Sequence, residues 1–314
     1  MAVIPISEPY IGLAEYKYVL RCLIRNKIGG ASENNLVCER SISSIVGHNY
    51  CKLTANGTVA LQIAFDAVKH YLEKDQVTII VPNVTFGATV NAALLSSNKV
   101  ILADVDPKSG LISRESVIDI IANYSVDCIC IVSLNGRLVP SEDIEFYHSS
   151  GLIVVEDQAE ALLSNYCGDT RRNFVFASTL SFYANKIITS GEGGAVCFTK
   201  DVLRDWINTY VNHGMSQAGS YKHDFAGSNY RMSSYQAALL RAQLTRLTAL
   251  KNHRKKMWQT FQNNTESRYQ LPSYSEGEYP WLLELQSQFD PERMERELEK
   301  SKVQFRKFFS AMHL

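Results

Sequence analysis

Between residues 77 and 157 the sequence alternates short apolar runs with amphipathic segments, and this alternation limits the possible folds more than any other feature. The apolar runs predict four strands, at residues 77–81, 99–103, 126–134 and 151–155. The segments between them predict three helices, at residues 85–95, 114–123 and 141–149. Uninterrupted apolar strands that alternate with helices are typical of a mostly parallel sheet with helices on both faces. We therefore predict an α/β fold whose ligands bind at the carboxyl ends of the strands.

Further predicted elements flank this core. Before it, the pattern predicts a helix at 13–28, which Gly29 and Gly30 end, and a short helix at 38–46. After it, the pattern predicts two short strands at 174–177 and 179–183, a strand at 195–199, a helix at 202–211, one long helix at 235–260, a strand at 281–285 and a helix at 291–302. We expect a large domain of residues 1–250 and a small C-terminal domain of residues 251–314.

Length, charge and cysteine usage narrow the class of protein. A chain of 314 residues that is 46% hydrophobic can bury the core of one large and one smaller domain. Lys+Arg and Asp+Glu both number 32, which argues against nucleic acid or an anionic membrane as a partner. The N-terminus lacks a signal-peptide pattern and no run approaches the ~20 apolar residues that span a bilayer, so we expect a soluble, cytoplasmic protein.

The seven cysteines, an odd number scattered along a long chain, fit reduced thiols better than a disulfide framework. Cys128 and Cys130 form the one close pair. They lie on one face of a predicted buried strand with no nearby histidine, so we interpret them as buried thiols and expect no metal site.

One lysine is distinguished by its surroundings. Residues 181–194 contain an aromatic pair, Lys186 and a glycine cluster, and they follow two runs that predict strands. Lys186 therefore lies where a buried core ends. Burial disfavours the charged form of lysine, which lowers its pKa and makes the neutral amine available as a nucleophile. The alternative is a solvated loop lysine before a glycine turn, which is the commoner case.

Three further features lie where ligands would bind. Gly57 and Thr58 begin a predicted helix, where free N–H groups and the helix dipole favour a phosphate, although such residues are also ordinary helix caps. Phe86 follows one predicted strand, and the acidic residue Asp157 follows another. Taken singly, an aromatic residue in a helix is most often part of the core, and a carboxylate at a strand end is most often a cap or a solvated turn.

Together these residues meet the chemical needs of pyridoxal 5'-phosphate (PLP). The set offers a phosphate site, an aromatic face for the ring, a carboxylate for the ring nitrogen and an amine for the aldehyde. Nucleotide-binding motifs of the G-x-G-x-x-G and G-x-x-x-x-G-K-[ST] types are missing, which argues against dehydrogenases and NTPases. No G-x-S-x-G elbow supports a serine hydrolase.

The same residues belong to a series of motifs that resembles the DegT/DnrJ/EryC1/StrS family of sugar aminotransferases. The motifs are Asn56–Thr58, Val81–Thr89, Asp104–Asp106, Val155–Ala161, Ser181–Gly194, Asn212–Met215 and Asn229–Ser233. Their order and spacing match over nearly the whole chain. The segments 181–194 and 306–314 are most similar to the GDP-perosamine synthase branch, which aminates C4 of a 4-keto-6-deoxy sugar nucleotide. The resemblance implies a fold-type-I PLP-dependent aminotransferase.

The resemblance implies roles for individual residues. Lys186 matches the lysine that binds PLP covalently, Asp157 the partner of the pyridine nitrogen, and Phe86 the aromatic residue that stacks on the ring. The matches to the phosphate ligands are Gly57, Thr58 and Ser181. Glu160 matches a residue near the ring hydroxyl. Asn229 matches an asparagine that reaches the phosphate of the neighbouring subunit, which implies a homodimer with shared active sites.

Substrate residues are implied as well. His213 matches a histidine associated with substrate binding, and the terminal segment adds Arg306 and His313. Arg306 is a bidentate-capable cation, and we expect it to hold a substrate carboxylate or phosphate. Two departures bear on substrate choice: Gln158 replaces the usual alanine, and the loop at 133–138 replaces a His-Leu-Tyr-Gly-x-Pro pattern.

From the resemblance we expect transfer of an amino group from an amino acid, glutamate by expectation, to a keto nucleotide sugar for lipopolysaccharide or O-antigen biosynthesis. Two alternatives stay open. The first is a PLP-dependent sugar dehydratase of the same family, against which Lys186 argues because those relatives carry histidine there. The second is a shortened, non-catalytic partner subunit, since family members continue beyond the position of Leu314.

Overall fold

The centre of the protein is a seven-stranded sheet. The computed structural model describes residues 3–164, 173–217, 219–287 and 291–313. The strands are β1 (Tyr50–Thr54), β2 (Thr78–Pro82), β3 (Lys99–Ala103), β4 (Cys128–Val132), β5 (Ile153–Asp157), β6 (Val175–Ser181) and β7 (Gly194–Phe198), in the spatial order β1-β7-β6-β5-β4-β2-β3. Strand β7 is antiparallel to both neighbours and the other neighbouring pairs are parallel, which confirms the mostly parallel α/β fold.

Helices cover both faces of this sheet. They are α1 (Leu13–Ile24), α2 (Glu33–Val46), α3 (Gly57–Leu72), α4 (Gly87–Leu95), α5 (Arg114–Asn123), α6 (Ser141–Ser149), α7 (Leu203–Tyr210), α8 (Ser234–Leu244), α9 (Leu247–Asn264) and α10 (Pro291–Lys300). Helices α3, α4 and α7 share a core with Ile79 and Val81, whereas α5 and α6 share a second core with Ile80. Successive strand residues point to opposite faces, so burying both faces requires the uninterrupted apolar runs seen in the sequence.

Most of the elements between residues 77 and 157 lie within two residues of their predicted bounds, but several flanking elements differ. The first helix ends at Ile24 rather than residue 28, because Asn26 takes a left-handed conformation (φ 53°) before the glycines. Helix α2 begins at Glu33, earlier than predicted, because the Ser32 hydroxyl accepts a hydrogen bond from the backbone of Asn35 and caps the helix. The runs at 174–177 and 179–183 form the single strand β6.

The prediction of one long helix at 235–260 is wrong, because α8 and α9 are separated at residues 245 and 246. Arg246 leaves the helical region (φ −113°, ψ 10°), and its guanidinium binds the Glu15 carboxylate and the Tyr10 carbonyl oxygen.

The predicted strand at 281–285 is also wrong. The short strands here are β8 (Tyr269–Gln270) and β9 (Gln286–Ser287), which pair with each other. Leu282 is instead held by a side chain: its backbone N donates to Asn135 Oδ1 (2.8 Å), and its carbonyl oxygen accepts from Asn135 Nδ2 (3.2 Å). An amide side chain thus takes the place of a neighbouring strand.

Among the described residues, every helix falls short of the length and apolar character that a membrane crossing requires. The six cysteines within the described ranges are free and buried, and Cys167 lies outside those ranges. Burial raises the pKa of the thiols of Cys128 and Cys130. The division into domains at residue 250 stays a prediction.

Candidate active site

The loop after β6 carries Lys186 at the carboxyl end of the strand. The chain leaves the sheet after Ser181 and returns at Gly194. A hydrogen bond from the Phe182 backbone N to the Gly193 carbonyl oxygen (2.8 Å) closes the base of the loop. The lysine is therefore presented from a closed turn at the edge where ligands bind in parallel sheets.

The Lys186 side chain is enclosed rather than solvated. Its Nζ atom lies 3.7 Å from Glu160 Oε1 and 3.7 Å from the centroid of the Trp281 ring. Burial lowers the pKa of Lys186, whereas the carboxylates of Glu160 and Asp157 oppose that shift. The interpretation of a solvated loop lysine is thus not supported, and a neutral, nucleophilic amine is accessible closer to neutral pH.

Asp157 is the last residue of β5 and is buried. The Thr89 hydroxyl donates to Asp157 Oδ2 (3.0 Å), and the Ala159 backbone N donates to Asp157 Oδ1 (3.0 Å). Burial raises the pKa of Asp157, although these two hydrogen bonds and Lys186 act in the opposite direction. The carboxylate is thereby fixed in orientation and is a strong acceptor for a proton-bearing ring nitrogen.

Glu160 follows in the turn after β5 and is also buried. The backbone N of Asn135 donates to its Oε2 atom (2.9 Å), while Nη2 of Arg306 lies 4.0 Å from its Oε1 atom. Burial raises the pKa of Glu160, and the positive charge of Lys186 opposes only part of that rise. The Oε1 atom therefore lies between two cations, Lys186 and Arg306.

A candidate anion site lies at the start of α3. The Asn56 side chain accepts a hydrogen bond from the backbone of Val59 and caps the helix, so Gly57 is its first residue. A Cβ atom at Gly57 would lie 2.9 Å from the Cβ of Ser181, at the end of β6. The absence of a side chain at Gly57 therefore brings the free helix N–H groups, Thr58 and the Ser181 hydroxyl to one place, which suits an anion.

Phe86 and the C-terminal segment lie at the same edge of the sheet. Phe86 immediately precedes α4, is 63% exposed, and packs against Phe309 with 6.0 Å between ring centroids. His313 Nδ1 is 2.7 Å from the side-chain nitrogen of Asn83, the residue that follows β2. Residues 309–313 thus lie beside the carboxyl end of β2, next to the largely exposed side chain of Phe86.

His213 and Asn229 are the remaining residues that the resemblance assigned to the site. Both side chains are exposed, and their segments meet through the pairing of Asn212 with Asn229. In the part of the chain that the structure describes, neither side chain forms a hydrogen bond or an ion pair with Lys186 or its carboxylates. An exposed Asn229 is compatible with a role in a second subunit, and that role stays a prediction.

Three residues that complete the site have no individual role assigned from the sequence. Trp281 contacts the Lys186 amine, Thr89 orients Asp157, and Asn135 holds Glu160. Thr89 lies in the first turn of α4, four residues after Thr85, whose hydroxyl it contacts (2.9 Å). Trp281 and Asn135 have no local signal, because they reach the site through tertiary contacts.

The residues present fit PLP. A buried amine, a buried and oriented carboxylate, a glycine-lined helix start and an exposed aromatic face are brought to one edge of the sheet. Lys186 would hold the aldehyde, Asp157 the ring nitrogen, and Phe86 the ring face. The phosphate ligands would be Gly57, Thr58 and Ser181, and Glu160 would lie beside Lys186.

We expect covalent attachment of PLP to Lys186 to increase with pH, with a midpoint below the ordinary lysine pKa of about 10.4. Only the neutral amine attacks the aldehyde, and burial lowers the pKa of Lys186. Because Glu160 stabilises the ammonium form, Glu160→Gln should move the midpoint to still lower pH. The initial rate of attachment to cofactor-free protein, followed by absorbance over a pH series, measures this shift.

The matched control for this pH series is Glu266→Gln, which removes an exposed carboxylate that pairs with Arg268. This variant should keep the native midpoint. A midpoint that stays in place or rises in Glu160→Gln would show that Glu160 does not act on the amine.

The fold is shared with solved aminotransferases. Over 99% of this chain and 86% of the other, the structure superposes on Helicobacter pylori PseC, an aminotransferase involved in the biosynthesis of pseudoaminic acid, with a TM-score of 0.88 and 22% sequence identity. At that identity the likeness concerns the fold, and it confirms the predicted fold class.

Residues 9–314 match the model of the DegT/DnrJ/EryC1/StrS aminotransferase family, and the chain belongs to this family. It is 31% identical over 298 residues to GDP-perosamine synthase of Escherichia coli O157:H7, covering 94% of this chain and 81% of the relative. It is 28% identical over 318 residues to GDP-perosamine synthase of Vibrio cholerae, covering 99% and 86% of the two chains. These matches confirm the resemblance and the prediction of an enzyme of the aminotransferase class.

Proposed function

We propose that this protein is a PLP-dependent nucleotide-sugar aminotransferase. It takes an amino group from an amino acid, expected to be glutamate, and transfers it to the C4 keto group of a 4-keto-6-deoxy hexose linked to a nucleotide. The similarity to two GDP-perosamine synthases supports this choice of substrate class. The product would serve the synthesis of cell-surface polysaccharide such as lipopolysaccharide O-antigen.

The observation that carries the proposal is the enclosed Lys186 amine, 3.7 Å from Glu160 and close enough to the buried Asp157 for their charges to interact. When bound, PLP accepts into its ring the electron pair of the substrate Cα–H bond. Lys186 is placed to hold the cofactor and, when its amine is free, to remove and return the proton. Asp157 keeps the ring nitrogen protonated.

The substrate side of the site is formed by the C-terminal segment. Arg306, about two-fifths exposed, faces the Glu160 carboxylate and the Trp281 ring, with 4.8 Å between its Cζ atom and the ring centroid. We assign it the substrate carboxylate or phosphate, because a guanidinium binds either group with two parallel hydrogen bonds. His313, which contacts Asn83 beyond the carboxyl end of β2, and His213 would contact other parts of the sugar nucleotide.

The two half-reactions test this proposal separately. PLP-loaded protein is mixed with glutamate alone, and the loss of the lysine-bound absorbance band and the release of 2-oxoglutarate are followed. A GDP-linked 4-keto-6-deoxy hexose is then added. Return of the band with formation of an amino sugar supports the function. Loss of the sugar 3-hydroxyl without nitrogen transfer would instead indicate a dehydratase, and no change in either step would indicate a non-catalytic partner.

We also infer a homodimer in a reducing compartment such as the cytoplasm. The outer face of α1 exposes Leu13, Leu20 and Ile24, which recur at helical spacing. A contiguous apolar face of this kind is typical of a protein interface. Asn229 is exposed as well. A residue that completes the site of a neighbouring subunit would be exposed in an isolated subunit.

The six free thiols within the described ranges fit reducing conditions.

Mixing two inactive variants should restore activity if the sites are shared. In a hybrid of Lys186→Ala and Asn229→Ala subunits, one of the two sites combines a native Lys186 with a native Asn229. With random exchange, about one quarter of all sites would be native, so we expect roughly that share of the native activity. The measurement is turnover after subunit exchange, with exchange shown independently by mass labelling. Exchange without recovery would place both residues in one chain's site.

A further inference from the structure

Trp281 makes two contacts with the Lys186 segment that binding of PLP does not require. The centroid of its ring lies 3.7 Å from Lys186 Nζ, and its indole Nε1 donates to the carbonyl oxygen of Asn185 (2.8 Å), the residue immediately before the lysine. Trp281 is buried, with 2% of its surface exposed. One side chain therefore fixes both the backbone that presents Lys186 and the amine at the end of its side chain.

Trp281 is itself held rigidly. Nη1 of Arg254, on α9, donates to the Trp281 carbonyl oxygen (2.8 Å). The next residue, Leu282, is bound through both backbone groups by the Asn135 side chain, and the Asn135 backbone N donates to Glu160 Oε2 (2.9 Å). The ring and the carboxylate on which the amine rests therefore belong to one hydrogen-bonded unit.

A buried ion pair stabilises this hydrogen-bonded unit. Nη1 of Arg137 lies 2.9 Å from Glu284 Oε2, and the same oxygen accepts from Asn135 Nδ2 (2.8 Å). Asn135 has a positive φ of 47°, a conformation that asparagine tolerates better than most side chains. The loop at 133–138, which departs from the family pattern, is thus the part that docks the segment carrying Trp281.

We propose that Trp281 is a positioning residue for Lys186. It holds the free amine between its ring and Glu160, and it thereby sets the rate at which that amine binds the cofactor aldehyde. Lysine has several rotatable side-chain bonds whose freedom must be lost before reaction, and contact with a buried ring removes part of that freedom beforehand. In the step itself the Lys186 nitrogen forms a C=N bond with the aldehyde carbon, and the aldehyde oxygen leaves as water with two protons from the amine. The inference rests on the proposed PLP chemistry.

The test separates attachment from binding. Cofactor-free native protein, Trp281→Leu and Trp281→Phe are each mixed with PLP, and the rate of covalent attachment is followed by absorbance. Borohydride reduction and peptide mapping confirm that Lys186 is the attached residue. The equilibrium affinity for pyridoxamine 5'-phosphate is measured in parallel, because that compound carries an amine in place of the aldehyde and cannot attach. The control is Trp206→Phe. Trp206 lies on α7 and stacks on His70 and Tyr210.

We expect Trp281→Leu to slow attachment by about tenfold or more, since both contacts are lost, while the affinity for pyridoxamine 5'-phosphate changes by less than about twofold. Trp281→Phe keeps a ring but loses the hydrogen bond to Asn185, so its rate should fall between those of the native protein and Trp281→Leu. The Trp206→Phe control should change neither quantity.

Three results would overturn the inference. Native attachment at Lys186 with an unchanged rate in Trp281→Leu would remove the positioning role and leave the proposed function intact. A parallel loss of rate and of pyridoxamine phosphate affinity in both Trp281 variants would make Trp281 a purely structural residue. Failure of the native protein to attach PLP at Lys186 would overturn the proposed function together with the inference.

Discussion

Lys186→Ala is expected to abolish covalent binding of PLP and to reduce amino transfer by roughly 10²–10⁴-fold or more, because the variant loses both the attachment point and the proton-transferring base. The amine is enclosed by Glu160 and Trp281, and among the described residues it forms no hydrogen bond to the backbone, so the fold should be retained. The measurement is borohydride reduction of PLP-treated protein followed by peptide mapping, together with turnover of glutamate and the keto sugar.

Lys69→Ala provides a matched control for the loss of Lys186. Lys69 is also a largely buried lysine with a carboxylate partner, since its Nζ atom lies 2.8 Å from Asp66 Oδ1. It lies on α3, away from the carboxyl edge of the sheet. This variant should keep covalent PLP and near-native turnover. A reduced label on any lysine other than Lys186 in the native protein would contradict the assignment.

Asp157→Asn is expected to keep PLP bound but to slow removal of the Cα proton by about 10²-fold or more, as is typical when an oriented electrostatic partner is lost from a buried site. Asparagine cannot keep the ring nitrogen protonated as a carboxylate does, so the electron-accepting capacity of the ring falls. The substitution fits sterically. The Ala159 N–H can still donate to the amide oxygen, and the Thr89 hydroxyl can turn to accept from the amide nitrogen.

Exchange of deuterium from Cα-deuterated glutamate into water measures this step apart from sugar binding, and absorbance titration measures PLP binding. Asp127→Asn is the matched control. Asp127 also accepts a backbone hydrogen bond, from Thr78 N (2.8 Å), but it lies at the amino end of β4. The Asp127→Asn variant should leave the rate of deuterium exchange unchanged. Equal loss of cofactor and exchange in Asp157→Asn would mark that carboxylate as structural.

The parts of the fold that sequence reasoning predicted well share a physical cause. Strands such as β2 and β4 are buried on both faces, so nearly all of their residues are apolar, and a continuous apolar run in the sequence predicts such a strand directly. Once these strands are placed, Asp157 and Lys186 fall at the carboxyl ends of β5 and β6 without further information. The residue types alone then indicate a carboxylate and an amine that can bind a ligand at this edge.

The edge strand β1 and the irregular segment at 281–285 escaped prediction for the opposite reason. Strand β1 lies at the edge of the sheet and alternates half-buried with buried residues, so it lacks the apolar run and was not predicted. Residues 281–285 are apolar apart from Glu284, but Asn135 satisfies the Leu282 backbone from a distant part of the chain. Such a contact leaves no periodicity in either segment, and for this reason the sequence predicts a strand at Trp281 and not a neighbour of Lys186.

Transfer of an isotopic label tests the central claim most directly. PLP-loaded protein is incubated with ¹⁵N-glutamate and a GDP-linked 4-keto-6-deoxy hexose, and the sugar nucleotide is analysed by mass spectrometry and NMR, with Lys186→Ala protein in parallel. We predict ¹⁵N at C4 of the sugar, an equal amount of 2-oxoglutarate, and no label with Lys186→Ala. A native protein with PLP bound at Lys186 that places no ¹⁵N on the sugar, or that removes the 3-hydroxyl without adding nitrogen, would contradict the account.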